Sequence, residues 1–272
     1  MGSGEFSFQW FARHRFYKAV NARLLDLVDI QPGQRVVELA CGTGEVTRLI
    51  QRKLKGAQDS LVIAIDQSAT ALREAAQRWA NMRDAVVQFI QSRVEQLSGV
   101  VKQRMDAVIF CNGIHYIPDK EHLVDEVYRT LLPGGVFAFN TSFFQHVQLP
   151  ETEQFLRRWM YRAIRILKRK YNLMPRADKV EARKQLSAEQ YRELLQHHGF
   201  RIVSEEVSPV AVPLHGWLDI SRYSDFVQGA LPGVPLKPAS EALRRAAREV
   251  YRELSLTSVP RNWLSMVAVK HS

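Results

Sequence analysis

The 272-residue chain has only two cysteines, Cys41 and Cys111, no internal repeat, no low-complexity tract and no apolar run near the roughly 18–20 residues that span a bilayer. Two cysteines are too few for a disulfide framework or a thiolate zinc cage, so no metal and a reducing, cytoplasmic setting are expected. The N-terminus lacks an uninterrupted apolar stretch with a small-residue cleavage site, which argues against a secretory signal, and residues 1–6 read as a cloning remnant. Its 14 glycines and 11 prolines follow no period, and 46% of residues are hydrophobic. Fibrous and intrinsically disordered classes are thereby excluded, leaving a globular chain able to bury a sizeable core.

What the sequence has in excess is positive charge, +10 in all with a pI near 9.8. It is not spread evenly. Residues 141–185 carry 11 basic and 4 acidic side chains, whereas residues 1–50 carry 6 and 5, residues 51–140 carry 11 and 10, and residues 186–272 carry 10 and 9. Such a distribution differs from the diffuse basicity of a chain that coats nucleic acid.

Phe8, Phe11, Phe16, Val20 and Leu24 recur at helical spacing and predict an amphipathic helix over residues 7–29. Short apolar runs follow at Arg35–Ala40, Leu61–Ile65, Val86–Ile90, Ala107–Phe110 and Val136–Phe139. Helix-forming stretches separate them at Glu45–Lys55, Ala69–Asn81 and Glu121–Leu132, the last closed by Leu132-Pro133-Gly134-Gly135. Continuous apolar strands alternating with helices indicate a parallel sheet covered on both faces. Beyond residue 186 come a helix (Ala188–His198), a strand (Arg201–Val207), a helix (Ala239–Leu254) and a last strand (Trp263–Val269). Two stretches break the rhythm, residues 142–185 and 208–238, and each follows the carboxyl end of a strand. Ligands of open α/β sheets bind at that edge, so both insertions are lid candidates.

The sharpest local signal is Val36-Val37-Glu38-Leu39-Ala40-Cys41-Gly42-Thr43-Gly44-Glu45, a buried strand running through small residues straight into a helix. Gly42 and Gly44 allow close backbone approach and unusual φ/ψ. Thr47 stands where a dinucleotide site places its third small residue, and Glu38 at the strand end suits a ligand bearing a cation better than one bearing phosphate. Asp66, 22 residues after Gly44, ends the second strand; it can accept hydrogen bonds from a ribose or cap the helix that follows.

These residues together resemble the class I S-adenosylmethionine-dependent methyltransferases, nearest the small-molecule group that includes the ubiquinone and menaquinone C-methyltransferases. The resemblance runs over residues 36–139: Glu38–Gly44, Asp66, Val87–Glu95, Asp106–His115 and Leu132–Gly135. It implies an α/β, Rossmann-like sheet of seven strands, mostly parallel with the last antiparallel, carrying helical cap insertions. It also implies S-adenosyl-L-methionine as cofactor, held by Tyr17, Glu38, Ala40, Cys41, Gly42, Gly44, Asp66, Gln67, Ser92, Arg93, Val94, Cys111 and Asn112. Two positions depart from the family pattern. Ala40 replaces the first glycine, and Arg93 replaces an aspartate that accepts from the adenine amino group, which passes that task to Ser92, the backbone near Val94 and apolar packing. The implied organisation is an N-terminal helix or lid (7–29), a cofactor-binding half (30–141), a basic helical cap (142–186), a core continuation (187–207), a second lid (208–238), and a C-terminal helix and strand (239–272).

Methyl transfer from a sulfonium is an in-line displacement in which the protein aligns reactants and excludes water. A base is needed only where the acceptor must lose a proton. His115, on the loop leaving the fourth strand, is the candidate, although a histidine there can also simply pack or bond a carbonyl. Trp10, His14, His146, Trp159, His215, Trp217 and Tyr223 are substrate or lid candidates, with core packing the alternative for the aromatic ones.

In the basic insertion, Phe155, Trp159, Met160, Ala163 and Leu167 share one helical stripe and Arg158, Arg162, Arg165 and Arg169 another. Three readings compete: a roof over a lipophilic small-molecule acceptor, a contact with an anionic group, carrier protein or membrane surface, and an RNA contact. The first is the expectation; the second would make the enzyme peripheral to a membrane, acting on a quinone or lipid. RNA methylation ranks below both, because Cys111-Asn112-Gly113-Ile114 stands where many amino-methylating enzymes of nucleic acids carry an Asn/Asp-Pro-Pro-aromatic motif.

Overall fold

The computed structural model describes residues 6–57, 59–79, 86–145, 148–176 and 185–271. Seven strands form one sheet: β1 (Arg35–Leu39), β2 (Leu61–Asp66), β3 (Val86–Gln91), β4 (Met105–Cys111), β5 (Leu131–Thr141), β6 (Phe200–Pro213) and β7 (Ser258–Lys270), in the order β3-β2-β1-β4-β5-β7-β6. The pairings from β3 through β5 are parallel; β5 and β7 are antiparallel, Val136 opposite Val269 and Thr141 opposite Leu264. The parallel part is what the alternation of runs implies, and the antiparallel last strand is what the family resemblance implies. Strand order reverses direction between β1 and β4, so the carboxyl ends of these two neighbours flank the crevice where an open α/β sheet binds ligand.

Helices α1 (Gln9–Ala12) and α2 (Arg15–Val28) occupy the expected N-terminal helix, which breaks at Arg13 and His14. Helices α3 (Glu45–Leu54), α4 (Ala69–Trp79), α5 (Leu97–Val100), α6 (Lys120–Thr130), α7 (Pro150–Tyr171) and α8 (Ala188–His197) follow in order. The rest are α9 (Leu214–Ile220), α10 (Ser224–Ala230) and α11 (Leu236–Glu253). Local chemistry sets the ends. Asp119 accepts from the His122 amide at the start of α6; Ser187 and Gln190 form a reciprocal capping box at α8; Pro150 opens α7 and left-handed Asn172 (φ 53°) closes it. Asn81, expected in α4, lies outside the described residues.

Several boundaries differ from the expectation: β5 starts at Leu131 rather than Val136, β6 runs to Pro213 rather than Val207, so residues 208–213 of the expected second lid are strand, and β7 starts at Ser258 rather than Trp263. Helix α6 stops at Thr130 rather than Leu132, and Leu131 already pairs with Met105 in the sheet. The residue before a proline avoids the helical region, so Pro133 ends the helix early. The register then shifts before Ala107 meets Val136, with Gly134 at φ +75° absorbing the irregularity.

The chain divides into two compact units, residues 18–146, 182–208 and 263–272 in the larger and residues 1–17, 147–181 and 209–262 in the smaller; β6 and β7 supply residues to both. In the larger unit, Leu24, Val36, Ile50, Val62, Ile109 and Val267 share one buried apolar cluster. Phe137, Phe139, Tyr191 and Phe200 form an aromatic layer with ring centroids 5.0–6.1 Å apart.

The smaller unit is centred on α7, α9 and α11. The apolar stripe of α7 is fully buried at Phe155, Trp159, Ala163 and Leu167. Trp159 stacks on Phe155 and Phe226, meets Trp217 edge-on at 5.3 Å, and donates its indole N–H to the Leu243 carbonyl at 2.7 Å. On the next row of the same helix, Arg158 and Arg162 pair with Glu253, Arg162 also reaches Glu249, and Lys170 pairs with Glu241, all on α11. Part of the insertion's excess charge is therefore neutralised within its own unit.

Removing the indole of Trp159 deletes a fully enclosed side chain and strands the Leu243 carbonyl. Trp159→Ala is expected to lower the unfolding free energy by about 3–5 kcal/mol in urea titrations, and a loss under about 1 kcal/mol would contradict this role.

Candidate cofactor and methyl-transfer site

The carboxyl ends of β1 and β2 are tied through the backbone. The Cys41 amide donates to the Ile65 carbonyl at 2.9 Å, the Ser92 amide to the Asp66 carbonyl at 3.1 Å, and the Gly44 amide closes the turn onto the Cys41 carbonyl at 3.0 Å. Asp66 fixes the loop from its side chain. One carboxylate oxygen accepts from the Gly42 amide at 2.8 Å and the other from the Ser68 amide at 2.8 Å. The residue thus caps the next helix, one of the two roles its position suggested, and it also holds the glycine turn.

Three residues of the turn are left-handed: Ala40 (φ 52°), Gly42 (φ 54°) and Gly44 (φ 83°). A Cβ on Gly42 would meet open space, whereas one on Gly44 would press on the Trp79 indole nitrogen at 3.0 Å. Gly42 therefore presents bare backbone outward while Gly44 lets α3 and α4 close together. Ala40 adopts the same hand at a cost on the order of 1 kcal/mol, which is why a glycine is the common choice there.

Glu38 lies behind this turn, buried, and accepts a short hydrogen bond from the Thr47 hydroxyl. Burial pushes its carboxyl up to about 8; the Thr47 bond opposes the shift and the nearby Asp66 charge adds to it. Burial likewise raises the Cys41 and Cys111 thiols well above their usual range, with the Glu38 charge contributing to both. The two thiols occupy separate apolar clusters, Cys41 with Ala64, Leu72 and Phe89, and Cys111 with Leu24, Val36 and Ile109.

On the β4 side, left-handed Asn112 (φ 51°) donates its amide to both the backbone and side-chain oxygens of Asn140, each at 2.9 Å. Asn140, wholly buried, donates in turn to the Asn21 side-chain oxygen at 2.9 Å. The Asn112 side chain accepts from the Ser142 amide. Neither Asn140 nor Asn21 announced itself in the sequence; a lone asparagine late in an apolar strand was the only available signal. His115, 3% exposed, sits on a 3-10 turn with Nδ1 3.0 Å from the Thr141 hydroxyl and its ring against Tyr116 and Phe143. Phe143 donates its amide to the same Thr141 oxygen at 3.0 Å. Gly113 has no room for a side chain, because a Cβ there would fall 2.1 Å from the Phe110 ring.

The remaining candidates are placed as follows. At the end of β3, Ser92 is buried and bonds the Arg93 carbonyl at 3.1 Å, and Val94 is buried. Arg93 extends into solvent and pairs with Glu95 at 2.9 Å, and Gln67 is exposed. Tyr17 belongs to the smaller unit, buried against Phe8 and Phe11 with centroids 5.5 and 5.3 Å away. Tyr223 meets Phe8 at 5.1 Å and bonds Asp225. His14 stacks on Phe16 and reaches Asp219 at 3.0 Å, and Trp10 lies between Arg13 and Arg222. Trp159 and Trp217 are interior to the smaller unit, His215 is exposed, and His146 lies outside the described residues.

Residues 36–135, which hold the whole strand-end constellation from Glu38 to His115, match the family described as methyltransferase domain. Residues 36–135 form a methyltransferase domain. Over 129 residues it is 33% identical to the trans-aconitate 2-methyltransferase of Deinococcus radiodurans, covering 46% of this chain and 45% of that one. It is 30% identical over 129 residues to the ubiquinone/menaquinone biosynthesis C-methyltransferase of Yersinia enterocolitica, covering 46% and 48%. The chain thus spans about half the length of these relatives. Among solved structures, the Haemonchus contortus phosphoethanolamine N-methyltransferase 2, in complex with phosphomonomethylethanolamine and S-adenosylhomocysteine, superposes with a TM-score of 0.59 at 17% identity, covering 99% of this chain and 57% of that one. At that identity the likeness is one of fold alone.

The donor set of the methyltransferase domain fits the cofactor's chemistry. Asp66 accepts one amide on each oxygen, and a carboxylate offers about four acceptor positions in all, the kind of group that ribose hydroxyls pair with. Gly42 leaves its backbone bare, and Glu38 supplies a buried acid that a cationic amino-acid group would draw into its charged form.

A carboxyl whose folded value lies above its unfolded value binds more protons folded than unfolded between the two, so stability falls as pH rises through that window. With Glu38 pushed up to about 8 from an ordinary 4.5, the urea midpoint is expected to decline between about pH 5 and pH 8. Glu38→Gln should flatten most of that decline; an unchanged slope would show that Glu38 is charged when folded.

Proposed function

We propose that this protein transfers a methyl group from S-adenosylmethionine to a lipophilic small-molecule acceptor by in-line displacement. The observation that carries the reading is the bond from the Gly42 amide to Asp66, which draws a turn with three left-handed residues against the acid that ends β2. A turn built only to connect a strand to a helix has no need of such strain. When bound, the cofactor supplies a methyl carbon already activated on a sulfonium, so the protein's work is alignment and exclusion of water.

Asp66 and Gln67 would hold the ribose hydroxyls, and the backbone of residues 40–44 and 111–112 would hold the amino-acid portion. Because Arg93 is engaged with Glu95, the adenine would rest on Ser92, the backbone near Val94 and apolar packing. For an acceptor that must lose a proton, His115 is the base. Thr141 holds its Nδ1 and so orients the ring.

Two things support a lipophilic acceptor. One matched relative is named for quinone biosynthesis, and the smaller unit gathers Phe8, Phe11, Tyr17 and Tyr223 in one aromatic cluster. Transfer to trans-aconitate but not to a prenylated quinol would overturn this choice of acceptor class.

Calorimetry with S-adenosylhomocysteine tests the cofactor assignment directly. One-to-one binding is expected, weakened about 10–100-fold in Asp66→Ala, as the loss of charge-assisted hydrogen bonds implies. An unliganded titration for the intact protein would sink the enzymatic reading. His115→Ala should lower turnover about 10²–10⁴-fold at saturating acceptor while leaving S-adenosylhomocysteine affinity within twofold; unchanged turnover would remove His115 from the chemistry.

A further inference from the structure

The basic insertion is two rows of cations with different fates. Arg158, Arg162 and Lys170 are spent on the α11 glutamates. Arg157, Arg165, Lys168 and Arg169 are exposed, and among the described residues none makes an ion pair. The carboxylates of α7, Glu151 and Glu153, both stand in its first turn, so the rest of the helix has no internal counter-charge. Arg157, Tyr161, Arg165 and Lys168 recur at intervals of four, four and three, which puts them on one face about 16 Å long. Tyr161 is 64% exposed between Arg157 and Arg165, the latter 5.9 Å from its ring, and Met174 just past the helix is 59% exposed. A large aromatic side chain standing bare in a row of uncompensated cations is costly to leave in water and needs explanation.

We propose that this outward face of α7 docks the protein on an anionic phospholipid surface. Charge complementarity selects the partner, and the helix's own packing selects the depth. Phe155, Trp159, Ala163 and Leu167 are fixed in the interior of the smaller unit, so α7 has no apolar face to insert. It lies on the headgroups through its cations, with Tyr161 at the level where phenol rings settle in an interface. A single row of cations on a convex helix, without a groove lined by stacking rings, serves a flat lipid surface better than a nucleic-acid strand. The inference goes beyond the methyl-transfer reading and does not rest on it.

Co-sedimentation of the full chain with vesicles tests it without cofactor or acceptor. At 0.1 M NaCl the protein is expected to bind phosphatidylcholine vesicles containing 30% phosphatidylglycerol on the order of a hundred-fold more tightly than pure phosphatidylcholine, and to dissociate at 0.5 M NaCl. The triple variant Arg165→Glu, Lys168→Glu, Arg169→Glu should lose at least tenfold of that affinity. The control Arg52→Glu, Lys55→Glu, Lys102→Glu makes the same change in net charge on the other unit and should lose less than threefold. Far-UV circular dichroism and the urea midpoint verify that each variant is folded. Equal binding to neutral vesicles, equal losses in the two triple variants, or polyuridylate binding tighter than the anionic vesicles would each overturn the proposal.

Discussion

The candidate site depends on one carboxylate. Asp66 ends β2 and accepts two backbone amides at once, from Gly42 across the sheet edge and from Ser68 ahead of α4. Amide donors at the start of a helix and in a left-handed turn have no partner of their own within those elements, and only an acceptor with several lone pairs can serve both. By satisfying them, Asp66 holds the turn between β1 and α3 in a shape that three left-handed residues would otherwise make unfavourable. The Cys41 and Ser92 amides complete the seam with the Ile65 and Asp66 carbonyls, so the ends of β1, β2 and β3 are hydrogen-bonded to one another.

A second polar chain does equivalent work on the far side of the switch point. Asn112 turns out of β4 in a left-handed conformation and delivers its amide to Asn140, which β5 holds in full burial and which Asn21 of α2 steadies in turn. Thr141, the next residue of β5, reaches His115. Polar groups thus stand on both sides of the strand reversal: Glu38 and Asp66 on the β1–β2 side, and Asn112, Asn140, Thr141 and His115 on the β4–β5 side. Low dielectric makes every member of such a network costly to leave unpaired, which keeps the geometry specific.

Helix α7 shows how one element can answer three demands through periodicity alone. Its first face builds a hydrophobic core with α9 and α11, its second is neutralised by glutamates of α11, and its third stays basic in solvent. The apolar stripe that looked available to roof an acceptor is consumed by Trp217, Phe226 and Leu243.

The residue order already specifies the alternation of apolar runs with helical stretches, the glycine turn after β1 and the acid after β2, because each is a local pattern with a local physical cause. The parallel sheet was legible on that basis, and its antiparallel last strand followed from the family resemblance. The early end of α6 was legible too, had Pro133 been weighed against the residue before it rather than after. The division of the α7 arginines into paired and open rows was not, nor the burial of Trp159 and Trp217, the separation of Cys41 from Cys111, or the support of Asn112 by Asn140 and Asn21. Each of these depends on which distant segment packs opposite, and a glutamate 91 residues away from Arg162 leaves no trace in the local sequence. Local order decides what each element is; only the packing of elements from far apart in the chain decides which of its side chains remain for function.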